Sequence, residues 1–410
     1  MNYSVFGHLN GTELSGLAFK EHVYRKKIIA HLSAHTDSTI SELAELLNIS
    51  IPKTNDIIIS LMEEGLVRES GHKTEGVGRK ATAYSLNQSS CYFLGVEIKK
   101  YKINIGLMGF DKTIIDSVLD IPFPFLDPHE SLNAIIEEIN GFLNQSSIPK
   151  AKIIGVGLSI AGRINVKKGE ILTIYHFEDA PVKSLLEEAI ELPVYIDNDS
   201  RTVAYGEYYF GSKTRAENTI VVNLDYGLGT GIFTDGKPMY GASGYAGELG
   251  HIPLFNNEKI CGCGKKGCMQ TEASGFALIE FITEKMDEGS NSRLKQVLSK
   301  KGYLELEDII EAVQLGDNLA IEAVTEIGYN LGKGLAVAIN LFNPNLIILG
   351  GVLSALNDSL LLPVVQSSIF QHSLSIVNTD TKIVVSKING KAGLSGCCLL
   401  VRDKTLGLVH

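Results

Sequence analysis

A histidine and three cysteines lie close together in the second half of the chain, as His251-x9-Cys261-Gly-Cys263-x4-Cys268. One imidazole and three thiolates complete a tetrahedral ligand set for Zn²⁺ and leave no position for water. The alternative is a set of free, reduced cysteines. Three cysteines within eight residues of a glycine-rich loop, with a histidine upstream, disfavour it. The spacing therefore predicts one structural zinc ion per chain.

The charged residues are unevenly distributed. The net charge is −10, but residues 1–90 hold 9 Lys and Arg against 10 Asp and Glu, whereas the remaining residues hold 28 against 37. The first quarter is thus near neutral, with basic clusters at 25–27 and 79–80. Since cationic side chains bind the nucleic-acid backbone, any contact with DNA is expected from this first quarter.

Three short helices are predicted within the first quarter. Residues 22–33 have apolar side chains at helical spacing with cations on the other face. Thr39 and Glu42 form the pattern of a capping box at the start of a second helix. Ser50 can cap a third helix, for which Gly65 is the expected stop. Two helices joined by the turn at 48–50 are typical of a helix-turn-helix.

Two short strands, 66–68 and 83–86, are expected to flank a tip rich in glycine, lysine and arginine. Residues 1–87 are therefore interpreted as a winged helix-turn-helix domain that binds DNA, with a small protein-binding helical domain as the alternative. Cations suit phosphates, and polar groups at the start of the third helix suit base edges. The predicted DNA contacts are Arg25, Lys26, Lys53, Thr54, Asn55, Arg79 and Lys80.

From residue 91 the sequence alternates between predicted strands and helices, which favours two mixed α/β lobes with a cleft between them. The first lobe is expected over 91–200, closed by a C-terminal helix at 392–410, and the second lobe, with the zinc site, over 201–391. The predicted strands are 93–98, 103–108, 114–119, 152–158, 194–196, 219–224, 231–234 and 346–349, and the predicted helices are 131–143, 320–341 and one after Gly393.

Four glycine-bearing motifs in this part of the chain resemble those of the ROK family, which comprises repressors, open reading frames and sugar kinases. They are GYAGELGH at 244–251, GCMQTEASG at 267–275, GVG at 155–157 and LIILGG at 346–351. The wing sequences at 78–79 and 85–87 resemble the repressor branch, which includes regulators that respond to xylose, N-acetylglucosamine and glucose. The resemblance implies the two-lobed, actin-like (ribonuclease H-like) sugar kinase fold.

The resemblance also implies which residues line a sugar-binding cleft: Asn198, Asp199, Glu248, His251 and Gln270. In the kinases the aspartate of the Asn-Asp pair is the general base toward a sugar hydroxyl. Zinc on one nitrogen of His251 would orient the other toward ligand. Gln270 departs from the glutamate that is usual in the family. Carboxylate and amide groups suit sugars, because each hydroxyl both donates and accepts a hydrogen bond.

Two loops depart from the phosphate-binding pattern of the kinases. The first strand pair carries Lys99-Lys100-Tyr101 where the family has glycines that let phosphates approach the backbone. The second loop carries Asp225-Tyr226 in place of Gly-Thr, which puts a carboxylate where a phosphate would lie. Since phosphoryl transfer needs a clamped nucleotide and metal, we expect no enzyme activity and a vestigial base at Asp199.

The sequence is interpreted as a sugar-responsive transcriptional repressor of carbohydrate-metabolism genes, with operator DNA, a sugar or sugar derivative, and a second copy as partners. A homodimer or dimer of dimers suits palindromic sites. One alternative is an ATP-dependent sugar kinase fused to a DNA-binding domain, and another is a regulator that answers a protein such as a sugar transporter component. No apolar run approaches the ~20 residues that span a bilayer, and no secretory signal opens the chain. We therefore expect a cytoplasmic protein without membrane insertion.

Overall fold

The computed structural model describes residues 16–75, 79–123, 127–166, 168–173, 180–211, 215–356, 360–388 and 390–408. Contacts between Cα atoms divide the chain into two compact units. Unit 1 comprises the described residues of 1–160, 169–196 and 397–410. Unit 2 comprises those of 161–168 and 197–396. In the described part of the chain, none of the helices combines the length and apolar character needed to cross a membrane.

The N-terminal part of unit 1 has three helices and a three-stranded sheet. In chain order these are α1 (Gly16–Ala34), β1 (Ser38–Thr39), α2 (Ile40–Leu47), α3 (Ile51–Glu63), β2 (Val67–Glu75) and β3 (Arg79–Leu86). The sheet has the antiparallel order β1-β3-β2. The predicted three helices and wing are thus confirmed, although α1 begins earlier, and both wing strands extend further, than the sequence predicted.

The helix ends in this region form as local sequence dictates. The Thr39 hydroxyl accepts a hydrogen bond from the Glu42 amide at 3.3 Å, and the Glu42 carboxylate accepts one from the Thr39 amide at 2.7 Å. This confirms the capping box. Ser50 caps α3 through the Lys53 amide, and Gly65 follows the helix with φ of +73°, a conformation that glycine adopts without strain.

The rest of unit 1 is built on a five-stranded sheet with the order β10-β7-β4-β5-β6. Gly157 on β7 lies so close to the carbonyl of Cys397 that a Cβ there would be 2.1 Å from its oxygen, which explains this glycine of the GVG motif. The strands and helices are β4 (Tyr92–Ile98), β5 (Lys102–Gly109), β6 (Ile114–Pro122), α4 (Pro128–Gln145), a 3₁₀ turn (Lys150–Lys152), β7 (Ile153–Ile160), β9 (Glu170–Ile171), α5 (Val182–Ile190), β10 (Val194–Asn198) and α13 (Ala392–Leu406). The last two elements continue into unit 2, to which residues 197–198 and 392–396 belong.

Unit 2 has its own five-stranded sheet with the order β13-β12-β11-β14-β15, in which β11, β14 and β15 are parallel. Its strands are β8 (Ile164–Asn165), β11 (Thr219–Leu224), β12 (Leu228–Thr234), β13 (Lys237–Pro238), β14 (Leu346–Gly350) and β15 (Lys382–Val385). Its helices are α6 (Asp199–Gly206), α7 (Gly275–Asp287), α8 (Leu294–Lys301), α9 (Leu306–Gln314), α10 (Asn318–Phe342), α11 (Leu362–His372) and α12 (Ser375–Asn378).

Short irregular turns of unit 2 carry most of the residues of interest. A π-helical turn (Glu207–Gly211) continues α6, and 3₁₀ turns form at Leu249–His251, Met269–Thr271 and Val352–Leu356. Two of these turns bracket the cysteine-rich loop, and one of its ends is fixed by a β-bridge between Pro253 and Cys268. The long helix α10 confirms the helix predicted over 320–341.

Candidate metal and ligand site

The structure brings His251 and the three cysteines of the motif together. Their ligand atoms all lie within 4.8 Å of one another. The Sγ atoms of Cys263 and Cys268 are 3.6 Å apart, and Cys261 Sγ is 3.4 Å from His251 Nδ1. Tetrahedral zinc with ordinary Zn–S and Zn–N bonds would separate such atoms by about 3.6–3.8 Å. The four side chains therefore fit one metal ion.

Backbone geometry explains how the loop closes around this cluster. Gly267 has φ of +69°, and a Cβ there would lie 2.1 Å from the carbonyl oxygen of Phe255. No other residue fits that approach without displacing the backbone. The amide of Cys261 also donates to the carbonyl of Lys265 at 2.8 Å. The loop is thus a tight, hydrogen-bonded turn that presents its thiols on one side.

Two of the residues assigned to sugar binding contact the metal ligands directly. The second ring nitrogen of His251, Nε2, lies 3.6 Å from a carboxylate oxygen of Glu248. On the other side of the cluster, Gln270 Nε2 donates to Cys261 Sγ at 3.0 Å. His251 and Gln270 are half-buried and Glu248 is exposed. Glu248, His251 and Gln270 therefore form one connected group beside the cysteines.

Asn198 and Asp199 lie at the end of β10, where the chain turns into α6. The side-chain oxygen of Asn198 caps α6 by accepting from the Ser200 amide at 3.0 Å, and its Nδ2 donates to the carbonyl of Gly162 at 3.0 Å. Asp199 accepts from the amide and hydroxyl of Ser200. Burial, reinforced by the negative charge of Asp225, raises the pKa of Asp199 above its ordinary value.

A buried ion pair that sequence reasoning missed connects this strand end to the glycine-rich loop. Arg201 donates through Nε to Asp197 at 2.7 Å and through Nη1 to the carbonyl of Gly244 at 2.7 Å. The hydroxyl of Tyr240 donates to the other oxygen of Asp197 at 3.1 Å. The one available signal was an arginine two residues after Asp199, in a segment that is otherwise apolar or small.

The two loops that we expected to depart from the kinase pattern have well-defined conformations. Lys99 to Lys102 form the β4–β5 hairpin turn, in which the Lys99 amide donates to the Lys102 carbonyl at 2.8 Å and Lys100 Nζ lies 4.9 Å from the Tyr101 ring centroid. After β11, the carboxylate of Asp225 accepts from the Tyr226 amide at 2.7 Å. Residues 99–101 and 225–226 therefore place side chains, and not glycine, in these two turns.

The turn after β14 has a structural reason for its second glycine. Gly351 has φ of +82°, and a Cβ at this position would lie 2.5 Å from the carbonyl oxygen of Leu224. Close packing against the end of β11 thus accounts for Gly351 without a bound phosphate.

The structure contradicts two of the predicted DNA contacts. Arg25 is 7% exposed, pairs with Glu64 and donates to the hydroxyl of Ser60 at 2.7 Å. Thr54 is fully buried, and its hydroxyl donates to the carbonyl of Ser50 at 3.1 Å. Both side chains are engaged inside the domain, so the predictions that Arg25 meets phosphates and that Thr54 meets base edges are wrong.

The other predicted DNA residues differ in exposure. Lys53 is exposed, with Nζ 3.3 Å from Glu21 Oε2, and Lys80 is also exposed. Lys26 and Asn55 are half-buried. The side chain of Arg79 and the whole of Gly78 lie outside the described residues. The first turn of α3 therefore keeps a cation and an amide at its surface.

Comparisons with known proteins match two separate segments of the chain. A model of winged helix-turn-helix DNA-binding domains matches residues 23–68, and the ROK family model matches residues 93–404. The xylose repressor of Caldicellulosiruptor bescii is 27% identical over 88% of this chain and 90% of its own length. The glucokinase of Halalkalibacterium halodurans is 31% identical over 77% of this chain and 96% of its own length.

Among solved structures, the crystal structure of a ROK family transcriptional regulator, a homologue of the E. coli MLC protein, superimposes with a TM-score of 0.79. It is 26% identical, and the match covers 95% of this chain and 98% of that chain. The similarity confirms the predicted fold class, an N-terminal winged helix-turn-helix followed by the actin-like sugar kinase fold.

Proposed function

This chain belongs to the ROK family, and from that premise we propose that it is a sugar-responsive transcriptional repressor of carbohydrate-metabolism genes, acting in the cytoplasm. The observation that carries the proposal is the presence of a complete winged helix-turn-helix ahead of the ROK region, in a chain similar over most of its length to a protein named xylose repressor. A kinase has no use for the first domain, whereas a repressor requires it.

At the DNA end, the first turn of α3 enters the major groove of the operator, with Lys53 and Asn55 toward the bases. Lys26 and Lys80 meet phosphates, and Arg79 on the wing reaches the minor groove. Two copies of the chain, as a homodimer or as half of a dimer of dimers, read the two halves of a palindromic site.

At the sugar end, Asn198, Asp199, Glu248, His251 and Gln270, all in unit 2, bind the sugar hydroxyls. His251, Cys261, Cys263 and Cys268 hold one zinc ion, which supplies a rigid cross-link and no open coordination position. With Nδ1 of His251 turned toward the cysteines, its Nε2 and the Glu248 carboxylate remain on the ligand side. A half-buried Asp199 accepts from a hydroxyl and transfers no proton.

The sugar acts as a switch only if it binds one arrangement of the dimer more tightly than the other. Shifting operator-bound protein from about 99% to about 1% needs a ~10⁴-fold preference. Several charge-assisted hydrogen bonds gained in one arrangement supply a preference of this size. The same logic applies when the ligand is a co-repressor, with the sign reversed.

The kinase alternative has one specific observation in its favour, the 31% identity to a glucokinase. Against it stand the side chains in both phosphate loops: Lys100 lies over Tyr101, and Asp225 holds the turn after β11. A carboxylate at this place repels phosphate, and the Lys99-Lys100-Tyr101 turn has side chains where a nucleotide would approach the backbone. Incubation with ATP and a panel of hexoses is expected to release no ADP above the protein-free rate, and steady ADP release would establish the kinase.

The experiment for the main proposal is fluorescence anisotropy of a labelled DNA fragment from upstream of the gene, titrated first with this protein and then with sugars and sugar phosphates. We expect nanomolar binding that one sugar releases. Binding that no sugar releases would replace the free sugar with a protein partner such as a sugar transporter component. Failure to bind any upstream fragment would contradict the repressor.

The sugar pocket is tested in the same assay with Asp199→Asn. The amide of asparagine keeps the shape of the aspartate side chain but has one acceptor oxygen fewer. We therefore expect the response to the sugar to be ~10–100-fold weaker, which corresponds to the loss of one or two hydrogen bonds to a charged group. Operator affinity without sugar stays at the parent value. Asp235→Asn, on an exposed turn of the same unit, is the matched control. An unchanged response in Asp199→Asn would show that the pocket is elsewhere.

A further inference from the structure

Gln270 occupies a position whose surroundings fix the direction of its side chain. It lies in the 3₁₀ turn Met269–Thr271, directly after the last cysteine of the metal cluster. Met269 is fully buried and its amide donates to the carbonyl of Ile252 at 2.9 Å. A Cβ on Gly250 would lie 3.5 Å from Gln270 Cβ. The stem of Gln270 is thus packed against the chain that leads to His251.

The amide end of this side chain reaches a metal ligand. Gln270 Nε2 lies 3.0 Å from Cys261 Sγ, while Oε1 points toward the turn at Gly227, 4.0 Å from where a Cβ of that glycine would be. A metal-bound thiolate only accepts hydrogen bonds, so the NH₂ group must face it. Hydrogen bonds to such charged acceptors are stronger than neutral ones.

We propose that Gln270 is a positioning residue of the metal centre, whose N–H···S bond to Cys261 strengthens zinc binding and directs its Oε1 toward the sugar as an acceptor. The inference rests on the zinc site of the proposed function. It also gives a reason for the departure from glutamate. A carboxylate 3 Å from a thiolate donates nothing and repels it, whereas the amide stabilises the negative charge on sulfur.

The orientation of the Gln270 amide determines which hydrogen bond it offers to the sugar. One amide hydrogen is engaged by Cys261 Sγ, which fixes the orientation of the amide and turns Oε1 away from the sulfur, where it accepts from a sugar hydroxyl. Glu248, at 3.6 Å from His251 Nε2, is likewise an acceptor. The sugar group at this end of the pocket is therefore a hydrogen-bond donor, such as a hydroxyl, and not a phosphate or carboxylate.

The test is the zinc affinity of the full-length protein, measured by competition with a chromophoric chelator. Gln270→Ala removes the N–H···S bond, and Gln270→Glu also places a negative charge beside the sulfur. We expect ~10–100-fold weaker zinc binding in both, with the glutamate variant weaker, which is the usual cost of losing a group that hydrogen-bonds a metal ligand. Gln296→Glu, exposed on α8, is the matched control and keeps the parent affinity.

A second readout covers the case in which the glutamate variant does not fold. In the cobalt-substituted protein, Gln270→Ala should move the sulfur-to-cobalt charge-transfer band to lower energy, because a thiolate without its hydrogen bond gives up electron density more easily. Parent-like zinc affinity and an unshifted band in Gln270→Ala would overturn the proposal. So would an equal loss in Gln296→Glu. A parent protein that binds no zinc would overturn the zinc site and this inference together, and the DNA assay would stand unaffected.

Discussion

The metal and ligand group of unit 2 and the DNA-binding surface of the winged domain differ in how their residues are connected. In unit 2, Glu248, His251, Cys261 and Gln270 form a chain of contacts, each within 3.6 Å of the next. On the winged domain, the cations assigned to DNA lie on separate elements. Those whose side chains the structure describes are exposed or half-buried, except for Arg25, whose side chain contacts the protein interior.

The two regions show that a metal site can be recognised from spacing in the sequence, whereas a DNA-binding surface cannot. Metal ligands must converge within a few ångströms, and a tight loop achieves this with a short, fixed spacing that is visible in the chain. A DNA-binding surface requires only positive charge on the correct side of each helix. Whether a given cation is on that side depends on packing against distant residues, as the Arg25–Glu64 pair demonstrates.

The largest expected effect tests the connected site. Cys268→Ser replaces a fully buried ligand with a hydroxyl, which is a poor partner for zinc. We expect zinc content to fall from one per chain to near zero, because structural zinc binding is worth ~10–16 kcal/mol and depends on all four ligands. Elemental analysis after dialysis measures the content, and thermal unfolding reports the lost cross-link.

The control for that variant is Cys91→Ala, a buried cysteine outside the cluster. It removes one sulfur and leaves zinc content at the parent value. Full zinc content in Cys268→Ser would mean that the four side chains do not act together, and the contrast between the two regions would disappear.

The fold itself was predictable to the extent that it depends on local sequence. The capping box at Thr39 formed because both of its hydrogen bonds lie within one turn. The wing strands proved longer than predicted, since their pairing continues past a bulge between Glu69 and Gly71 that no local pattern marks. Strand length there is decided by the partner strand and not by the residues themselves.

The site was predictable in the same sense. The spacing of His251 and the cysteines predicted the cluster that the structure brings together, whereas the sugar-binding roles that the family resemblance implies for Glu248 and Gln270 stay predictions. The link between Asp197, Arg201 and Tyr240 was not predictable, because Tyr240 is 43 residues away from Asp197 in sequence. Contacts of this kind require the folded structure, and they decide how the recognised residues are held.

A substitution of Arg25 can decide whether this arginine stabilises the winged domain or binds DNA. Arg25→Ala leaves the half-buried carboxylate of Glu64 without its partner, which costs part of the about 3–5 kcal/mol that is lost when a fully buried pair is broken. We therefore expect the winged domain to unfold at clearly lower urea concentration, as followed by circular dichroism of the full chain. Operator affinity falls only as far as the folded fraction does.

Lys80→Ala is the matched comparison, since Lys80 is exposed on the wing of the same domain and is assigned to a phosphate. Its stability should equal that of the parent, while the salt dependence of operator binding drops by about 0.9 in slope, the contribution of one phosphate contact. The opposite pattern, parent-like stability with a reduced salt slope in Arg25→Ala, would return Arg25 to the DNA surface and weaken the distinction between the two regions.

The smallest expected effect is a difference in pH dependence between the regions. In the winged domain, burial and the nearby charges of Lys26 and Arg25 lower the pKa of His22 to about 4. As the pH falls, His22 takes up a proton in the unfolded chain before it does so in the folded domain. The winged domain therefore loses stability as pH falls from about 6.5 toward 4. In unit 2, burial raises the pKa of Glu207 to about 7.

The raised pKa of Glu207 changes stability with pH in the opposite direction to that of His22. Its folded form holds the proton more tightly than the unfolded form, so unit 2 loses stability as pH rises from about 4.5 to 7. Only Ser386 donates to its carboxylate, at 2.6 Å, among the hydrogen bonds of the described residues. Glu207→Gln removes the ionisation and should raise the stability of unit 2 at pH 8 by at most about 3 kcal/mol, with no gain at pH 4. Hydrogen exchange of α6 amides, compared with those of α1, would resolve the two regions. A gain of equal size at both pH values would show that Glu207 does not titrate in this range, and the expected contrast in pH dependence between the two regions would be lost.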